Sequence, residues 1–425
     1  MSKLSKKLSG EQKTVVKNYG ALTVLQGLNY ILPFIIIPLL ENQLGLSRFG
    51  LVMKAQYLMA FCVAAADFGF TTTATREISI LRSQKADYSD TYFKVFWARI
   101  SLLIITFILL LVVVFAVPSF RLEWQVYLLS YGYVIGHIIL GDWFFQGIER
   151  MRLLTIVNVC SKILFTALLF LFIKKPEDYL LVPVFNSIGF LLAGFIMLLI
   201  SFRFVKFRKP NFKGSKQFFK DSFQIFISDI SGQLIFAANG LVLGLFAGDA
   251  LVGIFSAFDK LMLAAKKMYL PFYQAMYPFM SRKSQTEKGR MMRKLIPGIA
   301  AVGIIGMLGI IFLGKWTVGF LFKDNAIYEN AYLLQWMSVI ALFTGLSLLF
   351  TNLYAPSKKL FKDRMKVMVI ATLFNLSLGF IIVPFLGLKG TVITAILTEG
   401  VLLIISGYYY YKDISKPQLI IKNDS

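Results

Sequence analysis

The sequence predicts an all-α membrane protein of twelve transmembrane helices in two six-helix lobes, with both termini cytoplasmic. Three observations predict it. The 425 residues are 57% hydrophobic, with a mean hydropathy of +0.70, against roughly 45–50% apolar usage in soluble domains. The apolar residues gather into spans of about 20 residues, the length an α-helix needs to cross a ~30 Å hydrocarbon layer. Lys and Arg avoid every second gap between those spans.

In order, the spans are 21–40, 51–73, 95–117, 124–145, 153–173 and 179–202, then 222–247, 251–279, 295–321, 331–355, 367–386 and 390–411. A backbone in lipid must satisfy its own hydrogen bonds, so each span is a helix or part of a closed barrel. Sustained period-two alternation is missing, which argues against a barrel. The stretch before the first span is basic and polar with no adjacent cleavable apolar region, so that span reads as a retained helix. The termini and the even-numbered gaps hold 32 of the 45 basic residues, and the odd gaps hold six: Arg48, Arg121, Lys174, Lys175, Lys323 and Lys389. Basic loops near membrane spans stay in the cytoplasm. The split places both termini inside.

The longest basic loop, 203–220, divides the spans six and six, which gives an N-terminal lobe, 1–210, and a C-terminal lobe, 211–425. Pro210 and Gly214 would interrupt a surface helix there, so it reads as a connection. A short internal repeat sits at the equivalent outside turn of each half. Gly45 and Gly50 follow the first span, and Gly248 and Gly253 follow the seventh. Two lobes related by an axis along the membrane normal are a known repeat type. Pro33, Pro38, Pro183, Pro271, Pro278, Pro297 and Pro384 lie in or beside spans and would kink or end helices.

The formal charge of +23 reads as this topology signal and as attraction to anionic membrane lipids. It does not read as nucleic-acid binding, because no recognition motif accompanies it. Cys62 and Cys160 lie in spans and read as ordinary thiols. His137 is the only histidine, which excludes a multi-histidine metal site within one chain. No Walker, zinc-hydrolase, nucleophile-elbow or Rossmann motif occurs, and no outside loop could hold a catalytic domain. The expectation is a carrier that is not an enzyme and uses no cofactor.

Seven basic residues remain inside spans, where an ionisable group costs at least a few kcal/mol and needs a polar cavity or a partner. Lys54, Arg99 and Lys315 lie near helix ends, where snorkelling is expected. Lys162, Lys260, Lys266 and Lys267 lie deeper, as do the acids Asp67, Asp229, Asp259 and Glu399, with Asp142 close to a cytoplasmic end. In the eighth span Asp259 and Lys266, and Lys260 and Lys267, are seven apart and so share one side of a helix. That side reads either as a cavity wall attracting phosphate or as lysines reaching the cytoplasm beside paired charges. Asn29, Asn158, Asn239, Asn375 and Gln233 read as interhelical hydrogen-bonding groups or as a hydrated interior able to face sugars. Asp67, Asp229, Asp259 and Glu399 could couple to protons or sodium or form structural ion pairs.

Several segments resemble the Wzx-type polysaccharide flippases of the multidrug/oligosaccharidyl-lipid/polysaccharide exporter superfamily. They are Asn29 to Pro33 with Pro38, Gly45 and Gly50; Asp67-Phe-Gly-Phe-Thr-Thr-Thr-Ala-Thr-Arg-Glu-Ile-Ser79; Trp143-Phe-Phe-Gln-Gly-Ile-Glu-Arg-Met151; Gly253 to Lys260; Pro271 to Pro278; and Gly390 to Glu399. The resemblance covers most of the chain. It implies the MATE-like exporter fold, alternating access through a V-shaped cavity, and residence in the bacterial inner membrane. It also implies an undecaprenyl-pyrophosphate-linked oligosaccharide, for O-antigen or a related polysaccharide, moved from the cytoplasmic to the periplasmic leaflet and driven by a cation gradient. The polysaccharide polymerase and chain-length machinery are candidate partners. A pyrophosphate needs cationic partners, and Lys162, Lys260, Lys266 and Lys267 are the candidates, with Asn29 and Asn158 beside them. Asp67, Asp229, Asp259 and Glu399 are the coupling candidates. Rival readings are a cation-coupled drug exporter of the same fold, a channel or scramblase, and a membrane glycosyltransferase or polymerase.

Overall fold

The computed structural model describes residues 10–209, 216–358 and 360–415, with side chains except at residues 10–26, 28–31 and 278. Its elements in order are α1 (Gly10–Asp67), α2 (Phe70–Ser83), α3 (Ser89–Ala116), α4 (Pro118–Arg121), α5 (Trp124–Ile139), α6 (Asp142–Gly147) and α7 (Met151–Phe172). After a 3-10 turn at Pro176–Leu180 come α8 (Leu181–Ser201), α9 (Lys216–Phe246), α10 (Asp249–Lys267), α11 (Leu270–Ser281) and α12 (Gln285–Leu321). Then follow α13 (Asn325–Glu329), α14 (Ala331–Met337), α15 (Val339–Leu348), a π-helical turn at Leu349–Tyr354, α16 (Ala355–Ser357) and α17 (Phe361–Ile414). The described residues are all-α.

Among the described residues nine helical stretches are long and apolar enough to cross a membrane. The longest two break at a glycine: α1 at Gly45 (φ 70°) and α17 at Gly387 (φ 50°), both within gaps predicted from the sequence. A positive φ is open to glycine at little steric cost, which is why the chain turns there. The breaks do not fall at proline. Pro33, Pro38, Pro297 and Pro384 lie inside continuous helices, and Pro271 lies in the first turn of α11. The predicted span 251–279 is not among the nine, because charged residues and an interruption after Lys267 divide it into α10 and α11. Ile104, Ile105, Ile108, Leu109 and Val112 of α3 are exposed, as are Ile305, Phe312, Trp316 and Phe320 of α12. These are the side chains that lipid would cover.

By packing, the chain divides into two compact units. One comprises residues up to Ser256 with Phe322–Asp324, and the other comprises Ala257–Leu321 with the residues from Asn325 on. This division does not coincide with one at residue 210, because α9 and the opening turns of α10 pack on α1.

In the first unit, α5 and α8 make the most extensive helix pair. One core joins Leu51, Ala55, Tyr127 and Val134 across α1 and α5. A second joins Phe70, Ile78, Trp143, Phe144 and Met197 across α2, α6 and α8. Outside the spans, residues beyond α8 return to the start of α3. The amide of Lys206 donates to Ser89 Oγ at 3.0 Å, and Arg208 stands 3.4 Å from Asp87. Two hydrogen bonds from Ser89 hold the Asp87 carboxyl below the usual carboxylate range, and Arg208 adds to this.

The internal repeat is a point of contact within the first unit. Gly45 and Gly248 both take positive φ (70° and 84°), and the second glycine of each copy packs against the other copy. A Cβ on Gly50 would lie 1.7 Å from the Asp249 carbonyl oxygen and 2.7 Å from the Gly253 nitrogen, and one on Gly253 would lie 2.6 Å from the Leu46 carbonyl oxygen. The two backbones therefore meet with no side chain between them, as small residues allow between membrane helices. One turn beyond Gly50, the buried Lys54 pairs with Asp249.

In the second unit, Tyr273, Met292, Leu349, Leu353 and Tyr410 form a core that joins α11, α12, the π turn and α17.

Candidate functional site

Several charged side chains inside the spans lie where helices are interrupted. In the first unit α1 ends at Asp67, and Phe68 and Gly69 take positive φ before α2 restarts the same span. Likewise α5 ends at Ile139, Gly141 takes φ 65°, and α6 restarts at Asp142. An interrupted helix leaves backbone donors and acceptors without helical partners, and short polar side chains supply them. Asp67 accepts the Thr71 hydroxyl at 2.6 Å and the Thr71 amide at 3.3 Å. Asp142 accepts the amide of Trp143 at 2.9 Å, and the Thr75 hydroxyl donates to the Trp143 carbonyl at 3.0 Å.

Arg99 of α3 links the two interruptions. Its Nη2 donates to Asp67 Oδ1 at 2.6 Å, and its Nη1 lies 3.9 Å from Asp142 Oδ1. Its side chain is 2% exposed, against 17% and 21% for the two acids. Sequence reasoning expected Arg99 and Lys54 to snorkel, and the structure corrects both. Each is buried and ion-paired with a carboxylate from another helix, Lys54 with Asp249 and Arg99 with Asp67. Lys315 is exposed and reaches over the Tyr328 ring, 4.9 Å from its centroid. His137 packs near Tyr133 and Phe190, within electrostatic range of Asp142, Arg99, Asp67 and Lys162.

In the second unit the interruption falls at Met268 and Tyr269, between α10 and α11. Lys266 and Lys267 occupy the last turn of α10, where exposed carbonyls favour cations. Lys266 pairs with Glu399 of α17, whose other oxygen accepts the Thr344 hydroxyl of α15 at 2.9 Å. Lys266 is 28% exposed and Glu399 9%. Two phenols tie the interruption to α15: Tyr269 donates to the Ala341 carbonyl at 3.0 Å and Tyr273 to the Gly345 carbonyl at 2.5 Å. These acceptors flank Thr344. Lys260, partly buried two turns earlier on α10, is within electrostatic range of Asp259 and Lys267.

The remaining candidates are dispersed. Asn158, on α7, donates to the Leu154 carbonyl of its own helix at 2.9 Å, and Lys162 lies one turn further along, partly buried. Asp229 is an exposed position of α9. Asn375 bonds Thr398 at 2.9 Å beside Glu399 in sequence. The Asn29 side chain lies outside the described ones. Sequence reasoning missed Thr344, Tyr269, Tyr273 and Asp249. Thr344 and Tyr273 carried no signal, since hydroxyls are common in these spans. Asp249 follows Gly248 within the second copy of the glycine repeat and could have been noticed there.

A family profile described as polysaccharide biosynthesis protein matches residues 15–284. A protein of Escherichia coli (strain K12), named as a candidate O-antigen transporter, is 27% identical over 394 residues, covering 90% of this chain and 93% of that protein. An inward-facing multidrug resistance MATE family transporter of the MOP superfamily superposes with a TM-score of 0.67 at 15% identity, over 90% of this chain and 94% of that one. The lipid II flippase MurJ, in an inward closed conformation, gives 0.66 at 15% identity, over 92% of this chain and 87% of that one.

Proposed function

The chain belongs to the polysaccharide biosynthesis protein family, and from that premise we propose that it flips a polysaccharide precursor, an undecaprenyl-pyrophosphate-linked oligosaccharide repeat unit, from the cytoplasmic to the periplasmic leaflet. The protein is a multi-pass membrane transporter of the flippase and exporter class with a MATE-like fold, and not an enzyme. The proposal further takes the two lobes as 1–210 and 211–425, both termini as cytoplasmic, and the bacterial inner membrane as the location.

One observation carries the choice of an anionic lipid-linked substrate. α10 bears Lys260, Lys266 and Lys267, and its last turn stops where the segment predicted as one span, 251–279, is interrupted. Glu399 holds Lys266, and three ammonium groups gathered on one helix suit a ligand that carries more than one negative charge. We assign the pyrophosphate to these three residues. A drug exporter taking organic cations would need carboxylates open to its substrate. Here Asp67 is held by Arg99 and Glu399 by Lys266, which favours the anionic reading. Energy from a cation gradient would enter through an acid, and Asp67, Asp229, Asp259 and Glu399 are the candidates.

The test is export in cells. Deletion should abolish the host's surface polysaccharide while lipid-linked units accumulate on the cytoplasmic leaflet. Lys260→Ala and Lys267→Ala should each lower export on the order of tenfold, as loss of a charged hydrogen bond does, with membrane abundance unchanged. Normal polysaccharide after a clean deletion in a host with no substitute flippase would refute the reading. Full export in both variants would remove these lysines from it.

A further inference from the structure

We propose that Glu399 is an internal competitor for the substrate's pyrophosphate at Lys266: the carboxylate holds the ammonium while the carrier is empty and reclaims it to drive release. The inference rests on reading Lys266 as a phosphate-binding residue.

The two partners of this pair are held unequally. Glu399 is 9% exposed, and its second oxygen accepts the Thr344 hydroxyl at 2.9 Å. α15, which carries Thr344, is bound to the α10–α11 interruption by Tyr269 and Tyr273, through the Ala341 and Gly345 carbonyls. The carboxylate is thus fixed from the side away from the lysine. Lys266 is 28% exposed and extends a four-carbon stem from the last turn of α10. It is the partner able to move and the one a ligand can reach. Lysine suits that role, since its ammonium donates in three directions and is not bound to a planar fork.

Charge decides what can displace the pair. An accessible ammonium in a low-dielectric setting would draw any small anion, and one carboxylate in contact cancels that attraction. A monoanion therefore gains little by replacing Glu399. A pyrophosphate carries more than one negative charge and can engage Lys260 and Lys267 of the same helix along with Lys266. Once Lys266 turns to the ligand, Glu399 keeps only its Thr344 hydrogen bond, and a buried carboxylate without a counter-charge is unfavourable. That penalty pulls the lysine back when the ligand's other contacts weaken, and the returning pair expels the pyrophosphate. Glu399 in this account is a positioning residue acting through Lys266.

The experiment measures binding of inorganic pyrophosphate to the purified full-length chain in detergent, together with polysaccharide export in cells. Glu399→Gln should bind about tenfold tighter than the unaltered protein, because its amide cannot compete as an anion, and yet export more slowly. Thr344→Val removes the one hydrogen bond that Glu399 would keep once Lys266 leaves, should therefore weaken pyrophosphate binding a few-fold, and carries the test if Glu399→Gln does not fold. Adding Lys266→Met should abolish both the gain of Glu399→Gln and the further loss caused by Thr344→Val. If the unaltered protein binds pyrophosphate and folded Glu399→Gln binds it equally or more weakly, or folded Thr344→Val equally or more tightly, the competitor role is overturned and the flippase reading stands. If neither the unaltered protein nor the variants bind pyrophosphate while they do bind tetraphenylphosphonium, the anionic reading falls and takes this inference with it.

Discussion

Arg99→Met is expected to remove most of the folded protein from the membrane. The guanidinium is 2% exposed and neutralises Asp67 and Asp142, which sit at interruptions of two different spans. Taking away one partner of a buried ion pair leaves uncompensated charge, at a cost of about 3–5 kcal/mol. Such a loss is a large fraction of an ordinary folding free energy of about 5–15 kcal/mol. The Asp67 oxygens would keep the Thr71 hydroxyl and amide, and Asp142 the Trp143 amide. Those bonds satisfy geometry but supply no positive charge. Arg99→Lys should recover only part of the stability, because an ammonium cannot span two carboxylates as a planar fork does. Combining Arg99→Met with Asp67→Asn and Asp142→Asn should restore abundance, since a neutral set removes the imbalance. The measurements are the amount of a tagged protein in membranes and its melting temperature in detergent. Wild-type abundance and melting for Arg99→Met alone would show that the cluster is not what holds these spans together.

Gly50→Ala should have the next largest effect, out of proportion to one methyl group. The new carbon would lie 1.7 Å from the Asp249 carbonyl oxygen. Backbone cannot rotate aside as a side chain can, so the two segments must separate by roughly an ångström or more to reach van der Waals distance. Separation pulls on the Lys54–Asp249 pair one turn away, and Lys54 has a side chain only 2% exposed. Both melting temperature and export should fall sharply. Gly253→Ala should do the same to a lesser degree, its carbon meeting the Leu46 carbonyl oxygen at 2.6 Å. Gly298→Ala is the control. It lies within α12 with nothing within 4 Å of its Cβ, and alanine favours helix. Equal melting temperatures for Gly50→Ala and Gly298→Ala would mean that the seam yields freely and that the repeat has no packing role.

The candidate site was legible in part. Depth in the spans singled out Lys266, Glu399 and Asp67 without any coordinates, because a charge there needs a reason. Lys266 and Glu399 were assigned separate roles, as a substrate group and a coupling group, and the structure makes them one ion pair. They are far apart in sequence, and helical periodicity relates only residues on the same helix. Arg99 and Lys54 were misread for the same reason. Snorkelling is a statement about position along one span, and it gives way when the fold brings a carboxylate from another helix into contact. The glycine repeat shows the opposite case. It was visible as a two-residue match, and its meaning depended on the copies touching.

Apolar length and hydrogen-bond self-sufficiency in lipid left helices or a closed barrel, and missing period-two alternation removed the barrel, so the sequence pattern by itself determined the all-α class. Gly45 and Gly387, the points at which the longest helices break, lie within the gaps of that same pattern. Tertiary structure alone decided which charges neutralise one another, where spans are interrupted within the apolar run, and which glycines are needed for close approach. These depend on distances between helices separate in sequence, and electrostatic and contact energies vary with those distances as well as with residue type.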